Sequence, residues 1–163
     1  MNHFTVIDYV FGPIVLILII ILVRVRKYRK LEDHPEYAYF TKGMYAKLFG
    51  GISFLLIYTI YYGEGDTTNY FFDASCMVRL MLMDFPAFWK IMREGLNVSN
   101  YFLFNDITGW PIYWRGDIGT FWVVRIATFA VFISAGSIVV STLIFAAISF
   151  GGAWQLYKLF IYE

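Results

Sequence analysis

Two carboxylates, Asp66 and Asp73, lie two helical turns apart in the stretch GEGDTTNYFFDA (63–74). On a helix, Asp66, Asn69, Tyr70 and Asp73 share one face. A carboxylate just outside a membrane bundle can act as a base towards a sugar hydroxyl, or hold a cation on a phosphate. The same residues equally suit an N-cap and a hydrated helix face. Arg125 falls about one turn inside an apolar run, where a charge is costly and often functional. It suits the phosphate of a lipid-linked substrate; snorkelling to headgroups or pairing with Asp117 would serve it as well. Arg79 and Arg115 are further phosphate candidates, and both also suit a solvated face. Trp110 and Trp114, in WPIYW, can stack on a sugar ring or belong to an interfacial aromatic belt.

The elements that must position these residues follow from composition. Of the 163 residues, 60% are hydrophobic and 21% aromatic, only 15% are charged, and the mean hydropathy is +0.61. These values exclude a disordered chain, a basic nucleic-acid-binding domain and an ordinary soluble enzyme. The net charge is +1, so no bulk field recruits a partner. A single cysteine, Cys76, excludes an intrachain disulfide framework, and with only His3 and His34 no metal site is expected. No nucleotide loop, HExxH, haem or iron–sulfur ligand set or GxSxG occurs, so no cofactor is expected. The fold class is an all-α polytopic membrane protein forming one membrane domain over 1–163.

Four spans are predicted. Residues 4–23 are nearly all apolar and long enough for the ~30 Å hydrocarbon layer. They lack a basic leader and a cleavage site, so they read as an anchor, with Asp8 near one end and Pro13 inside. The second span is 44–62, with Gly50-Gly51 permitting close packing. Residues 119–162 would measure ~66 Å as one helix. They divide at Ser134-Ala-Gly-Ser137 into spans 119–134 and 138–162; one tilted helix broken at Gly151-Gly152 is the alternative. Residues 24–47 hold seven basic and three acidic side chains, and 63–118 hold four and seven. The positive-inside rule makes the first segment cytoplasmic, and the N-terminus and 63–118 external.

The external segment is too aromatic for a plain loop. One helix is expected after Gly65, capped by Asp66 or Thr67. A second is expected from Asp84, with Pro86 in its first turn, to about Arg93, and Gly95 ends it. Phe85, Phe88, Trp89 and Met92 would dip into the interface while Lys90, Arg93 and Glu94 stay wet. Residues 97–118 are expected to be irregular and packed on the spans. Asn97-Val-Ser99 is a formal glycosylation sequon. Cys76 reads as a buried small hydrophobe, and RVRKYRK as a topology determinant that also attracts anionic lipid.

The succession KLFGGISFLLIYTIYYGEGDTTNYFFDA, then FWVVRIATFAVFISAGSIVVSTLIFAAISFGGAWQLYKLF, resembles the N-terminal part of bacterial polysaccharide-polymerase and GT-C glycosyltransferase-type proteins. The likeness covers most of the chain. It rests on YY-G-x-GDT-x-x-Y after a span, the external amphipathic helices, and the Arg-containing span leading into a GS hairpin. It implies transfer or polymerisation of lipid-linked sugars at the outer face of the inner membrane. Asp66 would then be the external acidic residue and Arg125 a phosphate contact, without nucleotide sugar or soluble cofactor. Membrane lipids and a lipid-linked glycan are the partners implied, and no nucleic acid. Such enzymes have more spans, so two expectations stand. The chain is the N-terminal portion of a longer enzyme, or a non-catalytic subunit of a larger export or energy-coupling assembly. A transporter fragment is a third, which the scarcity of midplane polar residues disfavours.

Overall fold

The computed structural model describes residues 4–63, 65–112 and 118–162, with Ile118 described by its backbone alone. Helices account for all regular structure among these residues. They are α1 (Val6–Lys30), α2 (Phe40–Leu56, widened into a π-helical turn at Ile57–Tyr61), α3 (Asp66–Met83), α4 (Phe85–Glu94), α5 (Val98–Tyr101), α6 (Ile118–Ile133) and α7 (Ile138–Tyr162).

Three of them, Val6–Lys30, Phe40–Tyr61 and Ile138–Tyr162, are long and apolar enough to cross a membrane, with mean hydropathy 2.8, 1.4 and 1.6. These helices mark the chain as a membrane protein. The first extends beyond the expected 4–23 because the basic run continues it. Arg and Lys are good helix formers, and Lys27, Arg29 and Lys30 sit in the last turn, where the helix dipole favours cations.

α1, α2 and α7 form a bundle whose core gathers Val23, Phe40, Met44, Leu48, Leu143 and Phe150. Gly51 of α2 faces α7 closely: a Cβ there would lie 3.4 Å from Ala146 Cβ, while Gly50, Gly151 and Gly152 meet open space. The direction of α7 is fixed at both ends. Its first turn lies against Asp8, since the Val139 N–H donates to Asp8 Oδ1 (3.0 Å). Its last turn lies against the 3-10 turn Pro35–Ala38, where the Tyr162 hydroxyl donates to Glu36 Oε1 (2.8 Å). Thus α7 runs parallel to α1. The bundle has an Asp8 end and a Glu36 end.

The second layer is α3, α4 and α6. α3 and α6 pack along their lengths, with Ala74 against Ala127 and Val131. Cys76, Met77 and Leu80 meet Phe88 and Ile91 of α4 and Val124 of α6. α4 follows its sequence signals: Asp84 Oδ1 accepts from the Ala87 N–H (3.0 Å), Pro86 lies in the first turn, and Gly95 closes the helix with φ +83°.

The division of 119–162 falls at 134–137, as the Ser-Ala-Gly-Ser motif suggests. The Gly136 N–H closes on Val131 O (2.9 Å), and Ser137 Oγ accepts from the Val140 N–H (3.0 Å) to start α7. The four-span expectation meets a geometric limit here. α6 has 16 residues, or about 24 Å, short of the ~30 Å hydrocarbon layer. It also ends at the Asp8 end of the bundle, beside the start of α7. Ala135 holds φ +52° in this turn and is exposed. An alanine in the left-handed region is strained, so Ala135→Gly should stabilise the fold by about 1 kcal/mol, read as a raised unfolding midpoint in detergent.

Candidate functional site

The residues singled out by their chemistry fall into three places. Asp66 opens α3 and is exposed, whereas Asp73 is 1% exposed. Two turns of helix, roughly 10 Å, separate them. They do not face each other as a catalytic carboxylate pair.

Asp73 and Arg79 clamp the loop after α5 onto α3. The Ile112 N–H donates to Asp73 Oδ1 (2.7 Å), and Arg79 Nη1 donates to Thr108 O (3.3 Å). The loop is itself prebuilt. Asn105 Oδ1 accepts from the N–H groups of Ile107 and Thr108, and buried Thr108 Oγ1 accepts from the Asn105 N–H (2.8 Å). Gly109, with φ +78°, fits where a Cβ would stand 3.0 Å from Cys76 Sγ and 3.2 Å from Arg79 Nη1. Cys76 lies under this clamp. Burial, with a smaller push from Asp73, raises its thiol to about 12, against the opposing charge of Arg79. A maleimide at pH 7.5 should leave Cys76 unmodified in the folded protein and label it fully after denaturation. Labelling of the native state would contradict the burial.

Trp110 is the exposed aromatic of the group. Its ring tilts against Tyr101 (centroids 5.3 Å apart), and Nε1 donates to Asp106 Oδ1 (3.2 Å). Trp114, Arg115 and Asp117 lie outside the described residues.

Arg125 is 9% exposed. Its guanidinium lies over the rings of Trp122 (4.3 Å) and Phe121 (4.9 Å). Nη2 donates to Arg93 O (3.5 Å), and Nε has no partner among the described residues. Arg125 therefore places a positive charge at the carbonyl end of α4. α4 is thereby held on α6.

Two adjoining clefts run along α7. One, about 530 Å³, lies between α2 and α7 and reaches from Lys47 past Phe54 to Thr67. The other, about 260 Å³, lies among α3, α6 and α7, with Tyr70, Val123 and Ala127 in its wall. Thr67, Thr142 and Phe145 line both. Asp66 precedes Thr67 at the start of α3 but lines neither cleft. No protein-family model, curated protein or solved structure matches this chain.

Asp8, the residue that the sequence singled out least, is 3% exposed and accepts four hydrogen bonds. Its Oδ1 accepts from Ser137 Oγ (2.6 Å) and the Val139 N–H, and its Oδ2 accepts from the N–H (2.7 Å) and hydroxyl (2.8 Å) of Thr5. An acidic residue in a strongly apolar helix, with a serine-bearing turn elsewhere in the chain, was the available signal. At the opposite end, His34 Nδ1 lies 3.1 Å from the Tyr162 hydroxyl and 3.3 Å from Glu36 Oε1. Burial pushes the Glu36 carboxyl up, but its own N–H, the Tyr162 hydroxyl and the charges of His34 and Lys158 outweigh that. The net effect holds it below the usual carboxylate range. Among the described residues no three His, Cys, Asp or Glu side chains gather as a metal site.

Proposed function

We propose that the chain is a bacterial inner-membrane protein that handles a lipid-linked sugar at the outer face. The basic residues set the orientation: the Glu36 end, with Arg24 to Lys30, Lys42, Lys47 and Lys158, faces the cytoplasm. α1 then runs inward, α2 outward and α7 inward, giving three crossings. α3, α4 and α6 form a layer at the outer side, with α6 dipping only part of the way. Phe85 and Trp89 of α4 are exposed beside Lys90, Arg93 and Glu94, the pattern of a helix seated at an interface.

The observation that carries this reading is the pair of clefts meeting at Thr67. Their walls are mostly apolar and suit a lipid tail. Asp66, the exposed chain neighbour of Thr67, lies beside the first sugar of such a carrier in this reading. There its carboxylate accepts the proton of an acceptor hydroxyl as the new glycosidic bond forms and the lipid phosphate departs. Trp110 offers a stacking face. Asp73, Arg79 and Arg125 position the layer that holds these two. The likeness to sugar-polymerising membrane enzymes points the same way.

The test is an Asp66→Asn variant assayed for lipid-linked glycan turnover in membranes, with its unfolding midpoint measured alongside. Turnover should vanish at an unchanged midpoint. Preserved turnover would end the catalytic role of Asp66.

A second reading, a subunit of a larger assembly, is favoured by α6. Trp122, Ile126, Phe129 and Ile133 form a continuous exposed apolar ridge on a helix too short to cross alone. That reading expects a larger membrane protein to co-purify in mild detergent. A monodisperse monomer would count against it.

A further inference from the structure

A slot of about 380 Å³ opens sideways between α2 and α7 near the Glu36 end, lined by Tyr39, Lys42, Gly43, Phe150, Trp154 and Tyr157. It takes no part in the sugar chemistry above. Its floor exists because position 43 has no side chain. A Cβ there would come within 2.9 Å of Phe150 Cε2, so the ring packs directly on the α2 backbone. The walls are aromatic: Trp154 stands edge-on to Phe40 (4.9 Å) and Tyr37 (5.3 Å) and is 5% exposed. Its indole Nε1 is buried without a hydrogen-bond partner among the described residues. Lys42 is exposed at the rim, with Nζ over the Tyr39 ring (5.9 Å).

We propose that this slot is a binding site for one anionic phospholipid. Both helices that form it are long and apolar enough to cross a membrane, so a side opening between them faces lipid. An acyl chain fits against Phe150 and the exposed Ala153. The phosphate meets the Lys42 ammonium at the rim. Charge selects the headgroup. The same end of the bundle carries Arg24, Arg26, Lys27, Arg29, Lys30 and Lys158, and basic pockets between spans on the cytoplasmic side favour anionic lipids. Tyr39 and Tyr157 sit at the depth where phenol rings prefer the interface.

The inference rests on the membrane placement proposed above, and the two are tested separately. Native mass spectrometry of the full chain in mild detergent, with phosphatidylglycerol or phosphatidylcholine added, reads the lipid site. One phosphatidylglycerol should be retained about tenfold over phosphatidylcholine. Lys42→Glu and Ala153→Trp should each reduce that retention about tenfold, the first by charge and the second by filling the slot. Lys90→Glu, a charge reversal on α4, should leave it unchanged. Ala153 is exposed, so its variant keeps the test valid if Lys42→Glu fails to fold. Equal retention of the two lipids, or undiminished retention in both slot variants, would overturn the site. So would a dimer that only Ala153→Trp dissociates, because a second copy would then occupy the slot. Orientation is read from Lys30→Cys with an impermeant maleimide on intact cells. Labelling there would overturn the placement and leave the lipid result standing.

Discussion

Replacing Asp8 with alanine should lower the unfolding free energy by roughly 3 kcal/mol, because buried donors lose a charged acceptor. Four donor–acceptor contacts disappear at once: two from Thr5 and one each from Ser137 and Val139. The Ser137 hydroxyl can turn elsewhere, but the Val139 N–H is fixed in direction at the start of α7. The loss also removes a negative charge from a helix N-terminus, a further stabilising term. Asp8→Asn separates these effects. Its amide oxygen still accepts from Ser137 and Val139, while its NH₂ opposes two donors of Thr5. About half the loss is therefore expected. The measurement is the reversible unfolding midpoint in detergent, with Ser137→Ala as the mildest of the series. A change below about 0.5 kcal/mol in Asp8→Ala would show that these contacts contribute little.

The second large effect concerns Asp73. Asp73→Ala should cost roughly 2 kcal/mol by leaving the Ile112 N–H without its acceptor. Amide exchange should accelerate across 105–112, where the loop comes off α3, and less so in α1 and α2. Asp73→Asn retains an oxygen for Ile112 and should stay folded with glycan turnover intact. Turnover lost in Asp73→Asn at full stability would make Asp73 a catalytic residue and end its role as a loop anchor. The paired comparison with Asp66→Asn matters because the two carboxylates share a helix and differ in burial.

Much of the helical layout was legible in the residues themselves. Asp84, Pro86 and Gly95 are local signals, and α4 begins and ends where they stand. The break at Ser134-Ala-Gly-Ser137 was legible for the same reason: a left-handed turn and a serine cap are chemistry of four adjacent residues. The continuation of α1 to Lys30 was not, because a hydropathy profile ends at the last apolar residue while a helix does not. Nor was the direction of α7. Hydropathy gives the length of an apolar segment but not the end at which it starts, and the contacts that decide this join residues at opposite ends of the chain. At the site, the shared face of Asp66 and Asp73 is a correct reading of helical period. It cannot say which half of that face another segment will cover, and Ile112 covers one carboxylate only. Arg125 shows the same limit, since its neighbour Arg93 lies 32 residues away.

The joint between Asp8 and Ser137 spans 129 residues. At a synthesis rate of about 5–20 residues per second, its two halves appear roughly ten seconds apart. During that interval α1 is already in the bilayer with an acidic side chain that has its two Thr5 donors but not those of Ser137 and Val139. The translation machinery or surrounding water must shelter the open side of that carboxylate until the hairpin of α6 and α7 arrives. Insertion therefore includes a closing step: α7 docks on α1, and a chain stalled before residue 139 leaves the bundle unsealed at that end.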